Sequence, residues 1–559
     1  MSGNWQMKKI LLVALSILLI LSVGCNTKKN TGGNGASKNP SDISSDMSSD
    51  NSLQDYDTDS TGFDSSDIVS STDNRPSDNS GKNDNVAPEP SNDTIVSSFG
   101  ELIPTVNTAR LMNPINGGYD SRAETLRKNV QSSVSNLKIK GKTYYISMNG
   151  NDTNDGTTPK TAWKTIDAAV INSYLFESGD AILFERGGVY RQTATFMVNS
   201  DITFGAYGQG NKPAIYGSQK NYSDDSIWEA SRKKNVWKLS FYASDVGNVI
   251  FNHGEAVGSK KTGLLSMTKN GDFYHNTEEC ALYLYFDKGN PANTYKSIEI
   301  SSQGDIFQIY ERAKNVVFDN LCIKYGGSNA ISTQGSAKNI TITNCEIGWI
   351  GGSLKNAAVD PELRYGSGIV FNDSAEGCYV SNNWIYQCFD SGISFQGGLT
   401  GSANKYANLK FINNLCEYNT YNLEIWDTVL SSSYANVNID NNILRFAGFG
   451  WATQRTDEKY ASNIFVGDLY DSSMVNFSIS NNILDYSALR VLSWGNQLSY
   501  KGDLRLEGLI FKNNSVYQKK VKTDELFFYN NKGVSVTSRD QLLNAMKIFD
   551  VAPGEIRWS

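Results

Sequence analysis

Histidine is the scarcest functional residue of this chain, and its scarcity restricts the available chemistry. Only His253 and His275 occur among 559 residues, and both lie outside the regular repeat described below. Zinc sites and Ser-His-Asp triads depend on histidine, so neither chemistry is expected. Basic residues are outnumbered as well, with 51 Lys and Arg against 58 Asp and Glu. Binding to phosphate backbones needs clustered cations, and we therefore expect no nucleic-acid partner.

Cysteine pairs with metal-ligand spacing are also missing. No CxxC motif or Cys/His cluster occurs, which argues against a zinc site of the finger or ribbon type. The sequence predicts that most cysteines beyond the N-terminal segment are small apolar fillers of a packed interior: Cys280, Cys322, Cys345, Cys378, Cys388 and Cys416.

The N-terminal segment has the pattern of an export signal. Lys8 and Lys9 precede an apolar run over residues 10–23, which is too short and wrongly flanked for a spanning helix. Residues 21–25 (LSVGC) resemble the lipobox of bacterial lipoproteins. The resemblance implies a lipid anchor on Cys25 and an extracellular location on the bacterial cell membrane, with plain secretion as the alternative.

Composition and pattern divide the chain into consecutive parts. The segment after the signal is rich in Ser, Asp and Asn, and such a composition buries too little apolar surface to fold. The predicted parts are a signal peptide (1–25), a disordered tether (26–96), an N-terminal cap with the first coils (97–219), an antiparallel β insertion (220–305), the main parallel β-helix (306–520) and a C-terminal cap (521–559).

A recurring asparagine is the strongest structural signal. Alternating apolar residues are followed by Asn and then by more apolar residues, at intervals of 24, 38, 31, 28, 40 and 32 residues. Asparagine tolerates the left-handed backbone of a sharp turn, and stacked amides can hydrogen-bond between coils. The pattern predicts a β-solenoid whose additions loop out of individual coils. The repeated residues are Asn320, Asn344, Asn382, Asn413, Asn441, Asn481 and Asn513.

A second column fixes the direction of the side chains. Alternation places Ile331, Ile369, Ile393 and Leu423 inside, and sends Ser332, Val370, Ser394 and Glu424 to one outer face. The fold class is therefore all-β, a right-handed parallel β-helix.

Caps and the insertion are predicted from local signals. Asp120 is the expected N-cap of a short helix, and Ser538 with Gln541 forms a capping box before a terminal helix. A strand, an Asn/Asp-rich loop over 149–156, a helix and a second strand are typical of a solenoid cap. The loop is predicted to form turns, with calcium binding as the alternative, since it lacks the twelfth acidic ligand of an EF-hand.

Two acids on neighbouring coils suggest catalysis. Asp390 precedes one strand of the second column, and Glu424 points outward from the next. Adjacent strands lie about 4.8 Å apart, so the carboxylates can approach to roughly 5–6 Å, the separation of a retaining glycosidase. Asp390 is the predicted nucleophile and Glu424 the acid/base. Expected substrate-binding residues are Trp349, Arg364, Tyr365, Gln396, Trp426, Asp427, Trp451, Gln454, Arg455 and Asp457.

A purely structural role is the alternative for both acids. Asp390 would then satisfy turn amides, and Glu424 would pair with Arg455, since ion-pair networks perturb carboxylates without catalysis.

Several motifs resemble the pectin-lyase-like β-helix proteins of bacterial surfaces. They are GWIGG (348–352), RYGSGI (364–369), FDSGI (389–393), NLE (422–424) and GWATQR (450–455). The resemblance spans residues 140–518, and the paired acids are similar to those of β-helix glycoside hydrolases, including the β-xylosidase branch. It implies a monomer acting on a polysaccharide, and no required cofactor.

Two other functions stay open. A polysaccharide lyase would use Arg364 or Arg455 as base and Asp360, Asp390 and Asp427 as calcium ligands. A non-catalytic glycan-binding surface protein would use neither set.

Overall fold

A computed structural model describes residues 119–558 with internal gaps at 357–359, 399–400, 430, 456–460, 468–471, 496–507, 519–524, 530–531 and 547–555. The predicted signal, the tether and Cys25 lie outside the described residues. No helix in the described part is long and apolar enough to cross a membrane.

The described chain forms a right-handed parallel β-helix with three long sheets, which confirms the predicted fold class. Successive coils add one strand to each sheet, and the registers are parallel throughout the main stack. Sheet 1 contains Thr143–Ile146, Ala181–Glu185, Thr203–Tyr207, Val317–Asp319, Ala337–Lys338, Thr341–Thr343, Ala375–Glu376, Tyr379–Ser381, Lys405–Ile412, Ser433–Asp440, Ser473–Val475, Phe477–Ser480 and Leu509–Lys512.

Sheets 2 and 3 complete each coil. Sheet 2 contains Val189–Arg191, Ala214–Tyr216, Cys322–Lys324, Glu346–Ile350, Trp384–Cys388, Leu415–Glu417, Ile443–Ala447, Ile483–Ser487, Ser515–Gln518 and Ile556–Trp558. Sheet 3 contains Phe196–Val198, Phe307–Ile309, Ile331–Thr333, Ile369–Asn372, Ser391–Gly397, Tyr421–Asp427, Ser462–Gly467, Arg490–Gly495, Glu525–Tyr529 and the antiparallel Lys532–Ser535.

The predicted asparagine column occupies one corner of the solenoid. All seven residues have φ between 54° and 61°, the left-handed region that asparagine tolerates. Part of the column also stacks as predicted, because Asn413 donates to Asn382 and Asn441 donates to Asn413. Asn344 and Asn481 donate to Asp319 and Asp440 instead.

A second asparagine ladder, which the sequence analysis missed, runs one residue further along each coil. All five amides of this ladder are buried, and each of the first four donates to the amide oxygen of the next at 3.0 Å. Each of the last four amide oxygens also accepts the backbone N–H of the ladder residue in the preceding coil. This ladder satisfies buried polar groups that would otherwise destabilise the corner. Its members are Asn383, Asn414, Asn442, Asn482 and Asn514.

The interior is filled by aligned apolar side chains. Phe204 stacks on Phe318 with ring centroids 5.0 Å apart, and Tyr406 stacks on Tyr434 at the same distance. The filler prediction is confirmed for five cysteines, which are buried free thiols: Cys322, Cys345, Cys378, Cys388 and Cys416.

Three α-helices flank the solenoid. Helix α1 (Tyr119–Ser132) lies against the outer side of sheet 2, α2 (Ile166–Ile171) covers the first coil, and α3 (Arg539–Met546) follows the last strands of sheet 3. The loop over 149–156 forms turns, since the Asp152 carboxylate accepts the backbone N–H groups of Lys164 and Thr165.

Two cap predictions need correction. Helix α1 begins at Tyr119, so Asp120 lies inside its first turn rather than at the N-cap, and its carboxylate bonds Arg445 instead. The capping box of α3 is only half formed. The Ser538 hydroxyl accepts from the Gln541 N–H, but the Gln541 side chain accepts from the N–H of Thr537.

The insertion forms two small, mainly antiparallel sheets. The first contains Glu229–Ala230, Val236–Ser240, Ser259–Lys260, Asp272–Asn276 and Ala281–Tyr285; the second contains Val246–Phe251, Ala256–Val257 and Ile298–Ser302. A separate hairpin pairs Ser353–Asn356 with Asp360–Tyr365. Short 3-10 turns span Pro159–Thr161, Ser173–Leu175, Asp225–Ile227, Asn252–Gly254, Leu264–Ser266, Pro291–Asn293 and Trp451–Gln454.

Candidate active site on the outer wall of sheet 3

Strand alternation brings Glu424 to the outer face of sheet 3, as the sequence predicted. Leu423 and Ile425 on either side of it belong to the interior core. In register, Ser332 pairs with Val370, Val370 with Ser394, and Ser394 with Glu424. The outward column therefore changes from small side chains to a carboxylate at this coil.

Glu424 is a buried acid held by neutral donors. Its side chain is enclosed, with the residue 6% exposed, and the hydroxyls of Ser391 and Ser394 donate to Oε2 at 2.6 Å. The Gln396 amide donates to the same oxygen at 3.0 Å. None of these bonds engages Oε1, which leaves that oxygen to carry a proton.

Burial and a neighbouring charge keep Glu424 protonated at higher pH than usual. Desolvation is the larger cause, the negative charge of Asp390 is the second, and together they raise the pKa of Glu424 to about 7. The three hydrogen bonds oppose this shift but do not cancel it. Glu424 is thus poised between its acid and base forms near neutral pH.

Asp390 has the opposite surroundings. Arg455 Nη1 lies 2.8 Å from Asp390 Oδ1, and the Asp390 side chain is 14% exposed. The backbone of Asp390 is anchored as well, since its N–H donates to the carbonyl of Gly366 and its carbonyl accepts from Thr420.

The structural alternative predicted an ion pair between Arg455 and Glu424, and the structure shows an ion pair of Arg455 with a different acid. Arg455 does form an ion pair, but with Asp390 and not with Glu424. Glu424 has hydroxyl and amide partners instead of a cation.

Two tryptophans predicted to contact sugars are packed inside the protein. Trp349 is 5% exposed and meets Tyr386 edge-on, while Trp451 is 1% exposed and donates its indole N–H to the carbonyl of Gln387. Neither ring presents a face to a ligand. The insertion covers both rings, since Gly254 abuts the Trp349 ring and Ile250 and Val257 share a buried cluster with the two tryptophans.

Arg364 and Asp427 also have structural positions. The Arg364 guanidinium lies 4.2 Å from the Phe389 ring centroid and donates to the carbonyls of Gly352 and Gly247. Asp427 is buried and accepts from the Asn404 side chain and the Val429 N–H. The prediction that these two side chains contact substrate is not supported by their positions, because both are buried and held by other parts of the protein.

The remaining predicted residues differ in their contacts, and Gln396 bonds one of the two acids. Gln396 bonds Glu424, and half-buried Trp426 is its register partner one coil on. The Tyr365 hydroxyl bonds Ser328 at 2.8 Å, and Gln454 donates to the carbonyl of Gly258 in the insertion. Asp457 and the side chain of Asp360 lie outside the described residues.

Sequence reasoning missed the two serines that position Glu424. Strand alternation alone would place Ser391 and Ser394, three residues apart, on opposite faces, yet both hydroxyls converge on one carboxylate oxygen. The outward position of Ser394 in register with Glu424 was a signal in the sequence, whereas the orientation of Ser391 left none.

No group of three or more His, Cys, Asp or Glu side chains with metal-binding spacing occurs among the described residues. Two of the three calcium ligands considered for a lyase have described side chains, and each of these two has its own partner. Asp390 is engaged by Arg455, and Asp427 by Asn404.

Comparison with known proteins gives similarity in fold. No family model and no curated protein matches the chain. Among solved structures, a glycoside hydrolase shares 9% identity at a TM-score of 0.40, covering 75% of this chain and 96% of the other. Pectate lyase Pel9A shares 13% identity at a TM-score of 0.38, covering 68% and 70%. A family 28 exopolygalacturonase from Yersinia enterocolitica shares 10% identity at a TM-score of 0.36, covering 68% and 66%. The reaction of this chain must be argued from its own site.

Proposed function

We propose that this protein is a cell-surface glycoside hydrolase that cleaves a polysaccharide with Glu424 as acid/base and Asp390 as nucleophile. One observation carries the proposal. Two carboxylates on adjacent coils have contrasting surroundings: Glu424 is buried among neutral donors and has a raised pKa, whereas Asp390 is in an ion pair with Arg455. Such pairs assign acid and base roles in glycosidases.

The geometry of Glu424 suits proton donation. With Oε2 accepting three hydrogen bonds, a proton on Oε1 is directed away from the serines and toward a glycosidic oxygen. Loss of that proton to the leaving group creates a carboxylate that the same donors stabilise. The carboxylate then takes a proton from water in the second step, as microscopic reversibility requires.

Asp390 supplies the complementary group. Its carboxylate attacks the anomeric carbon as the glycosidic bond breaks, and Arg455 orients it through the ion pair at 2.8 Å. Half-buried Trp426 is the remaining candidate for an apolar sugar platform, since Trp349 and Trp451 are enclosed.

Variants of the two acids test the assignment in the full chain. Asp390→Ala and Glu424→Ala should each lower kcat by about a thousandfold or more, on a substrate found by screening plant and bacterial polysaccharides. Thermal unfolding should change little. Glu376→Gln on sheet 1, where the Glu376 side chain is 42% exposed, is the matched control and should keep full activity. Unchanged activity in both alanine variants would remove the site.

Azide separates the two roles. In Asp390→Ala, azide should replace the nucleophile and yield a glycosyl azide of inverted configuration. In Glu424→Ala, it should attack the covalent intermediate and yield the retained anomer. Reversed outcomes would exchange the roles of the two acids.

Product analysis separates hydrolysis from elimination. Hydrolysis produces reducing ends without new ultraviolet absorbance, whereas a lyase produces an absorbing double bond. Hydrolysis is favoured because both guanidiniums considered as lyase bases are engaged, Arg364 by backbone carbonyls and Arg455 by Asp390. Binding without either product would support a glycan-binding protein.

Surface display through a lipid on Cys25 is part of the proposal and rests on the lipobox-like sequence. Cys25→Ser should abolish incorporation of labelled palmitate and release the protein into the medium. Incorporation that persists in the variant would refute the anchor.

A further inference from the structure

A second cavity lies on the outer wall of sheet 2, away from the acids of sheet 3. It has a volume of about 480 Å³, which is within the range of small-molecule sites. Its floor is formed by four successive strands in register, through Val189, Ala214, Cys322 and Glu346. Gln131, in the last turn of helix α1, contributes to the lining.

A buried cation without a carboxylate partner lines this cavity. Lys212 Nζ donates to Ser133 Oγ at 2.8 Å and to Asn320 Oδ1 at 2.6 Å, and both acceptors are neutral. No ion pair of Lys212 occurs among the described residues. Desolvation lowers the pKa of Lys212 to about 8. An anion in the cavity would offset that desolvation.

The same cavity presents a carboxylate and a ring. Glu346 Oε1 forms an ion pair with Lys324 Nζ at 2.6 Å and accepts from the Tyr386 hydroxyl at 2.9 Å. Neither bond engages Oε2, which is suited to accept ligand hydroxyls. Tyr216 also lines the cavity, fixed edge-on by Tyr325 at 4.7 Å.

We infer that this cavity binds a sugar acid of one or two units, with its carboxylate on Lys212 and its hydroxyls on Glu346. The cavity combines one buried ammonium without a direct ion pair, one open carboxylate oxygen and an aromatic ring, which together match an anionic group on a polyhydroxylated ring. The site is separate from Asp390 and Glu424, so it does not depend on the proposed hydrolysis.

Titration calorimetry of the full chain with sodium galacturonate tests the inference. Saturable binding is expected, weakened at least tenfold in Lys212→Met and retained in Glu424→Gln. Glu346→Gln should weaken binding less. Binding that is equal in wild type and Lys212→Met, or no binding at millimolar concentration, would overturn the site.

Two further ligands and two further variants complete the test. Neutral galactose should bind at least tenfold more weakly, and equal affinity would overturn the requirement for a carboxylate. Inorganic phosphate that binds as tightly as galacturonate would reduce the cavity to a simple anion site and overturn the sugar assignment. Val189→Trp fills the cavity from its exposed rim and should block binding even if Lys212→Met folds poorly. Exposed Lys314→Met is the matched control and should bind normally.

Discussion

Glu424 on sheet 3 and Asp485 on sheet 2 are both buried acids whose pKa is raised to about 7, mainly by desolvation. Their partners differ. Glu424 accepts three hydrogen bonds from neutral donors, whereas Asp485 lies 3.0 Å from Arg445 Nε, and neither of its oxygens accepts a hydrogen bond within the described part of the chain.

The regions around the two acids differ in the same way. Helix α1 lies over sheet 2 near Asp485, where Asp120 bonds Arg445 and Arg127 bonds Glu417 at 2.7 Å. Asp485 therefore belongs to an ion network that fixes the helix to the solenoid, while Glu424 stands beside a second acid with one oxygen unengaged. A raised pKa alone does not identify a catalytic acid; the arrangement of its partners does.

Activity should separate the two acids most strongly. Glu424→Gln removes the proton donor and should lower kcat by about a thousandfold or more, whereas Asp485→Asn should leave kcat within about twofold because Asp485 faces helix α1 and not the proposed substrate. Both variants are measured on the same substrate at pH 7. Equal losses would show that the comparison is wrong.

Stability should separate the two arginines. Arg445→Met leaves Asp485 and Asp120 without their shared cation and should lower the free energy of unfolding by about 3–5 kcal/mol. Arg455→Met leaves only the less buried Asp390 and should cost about 1 kcal/mol.

Denaturant unfolding measures both variants, and the pH profile of activity should shift only in Arg455→Met. A larger stability loss in Arg455→Met would contradict the assignment of the network on sheet 2 as structural.

The pH dependence of stability gives an effect of intermediate size. The folded pKa of Glu424 lies above its ordinary value of 4.5, so the folded state binds more protons than the unfolded state between pH 4.5 and 7. Stability therefore falls as pH rises through that interval. Glu424→Gln should be more stable than wild type at pH 8, by on the order of 1–3 kcal/mol, and should differ little at pH 4.

Asp485→Asn provides the contrast in the same experiment. The Asp485→Asn variant removes the cost of ionising a buried acid, as Glu424→Gln does, but it also removes a partner of buried Arg445. Its gain in the free energy of unfolding at pH 8 should therefore be smaller than that of Glu424→Gln. A larger gain would mean that Arg445 does not depend on Asp485.

Local sequence rules predicted the solenoid because its turns and strands repeat. The asparagine column, the inward Ile331, Ile369, Ile393 and Leu423, and the outward Glu424 follow from turn chemistry and a period of two. The buried ladder through Asn414 was missed because its residues sit next to the predicted column, and sequence alone does not say which of two adjacent asparagines turns inward.

The site was predicted less completely because its periphery depends on distant segments. Trp349, Trp451 and Arg364 have the composition of a sugar site, but the insertion covers them, and Arg364 reaches Gly247 across 117 residues. Contacts of that kind leave no periodic signal. The pairing of Arg455 with Asp390 rather than Glu424 likewise depends on side-chain reach between coils.

The smallest expected effect comes from the exposed rim of the network on sheet 2. Glu124 lies near Arg127 and Lys128 on α1, with its side chain 45% exposed, so solvent screens both pairs. Glu124→Gln should change the free energy of unfolding by about 0.5 kcal/mol or less. Arg127 keeps its ion pair with buried Glu417 in this variant. Thermal unfolding at low and high salt should show little difference between this variant and wild type. A loss comparable to that of Arg445→Met would mean that the network is organised from the helix surface and not from the buried Arg445–Asp485 pair.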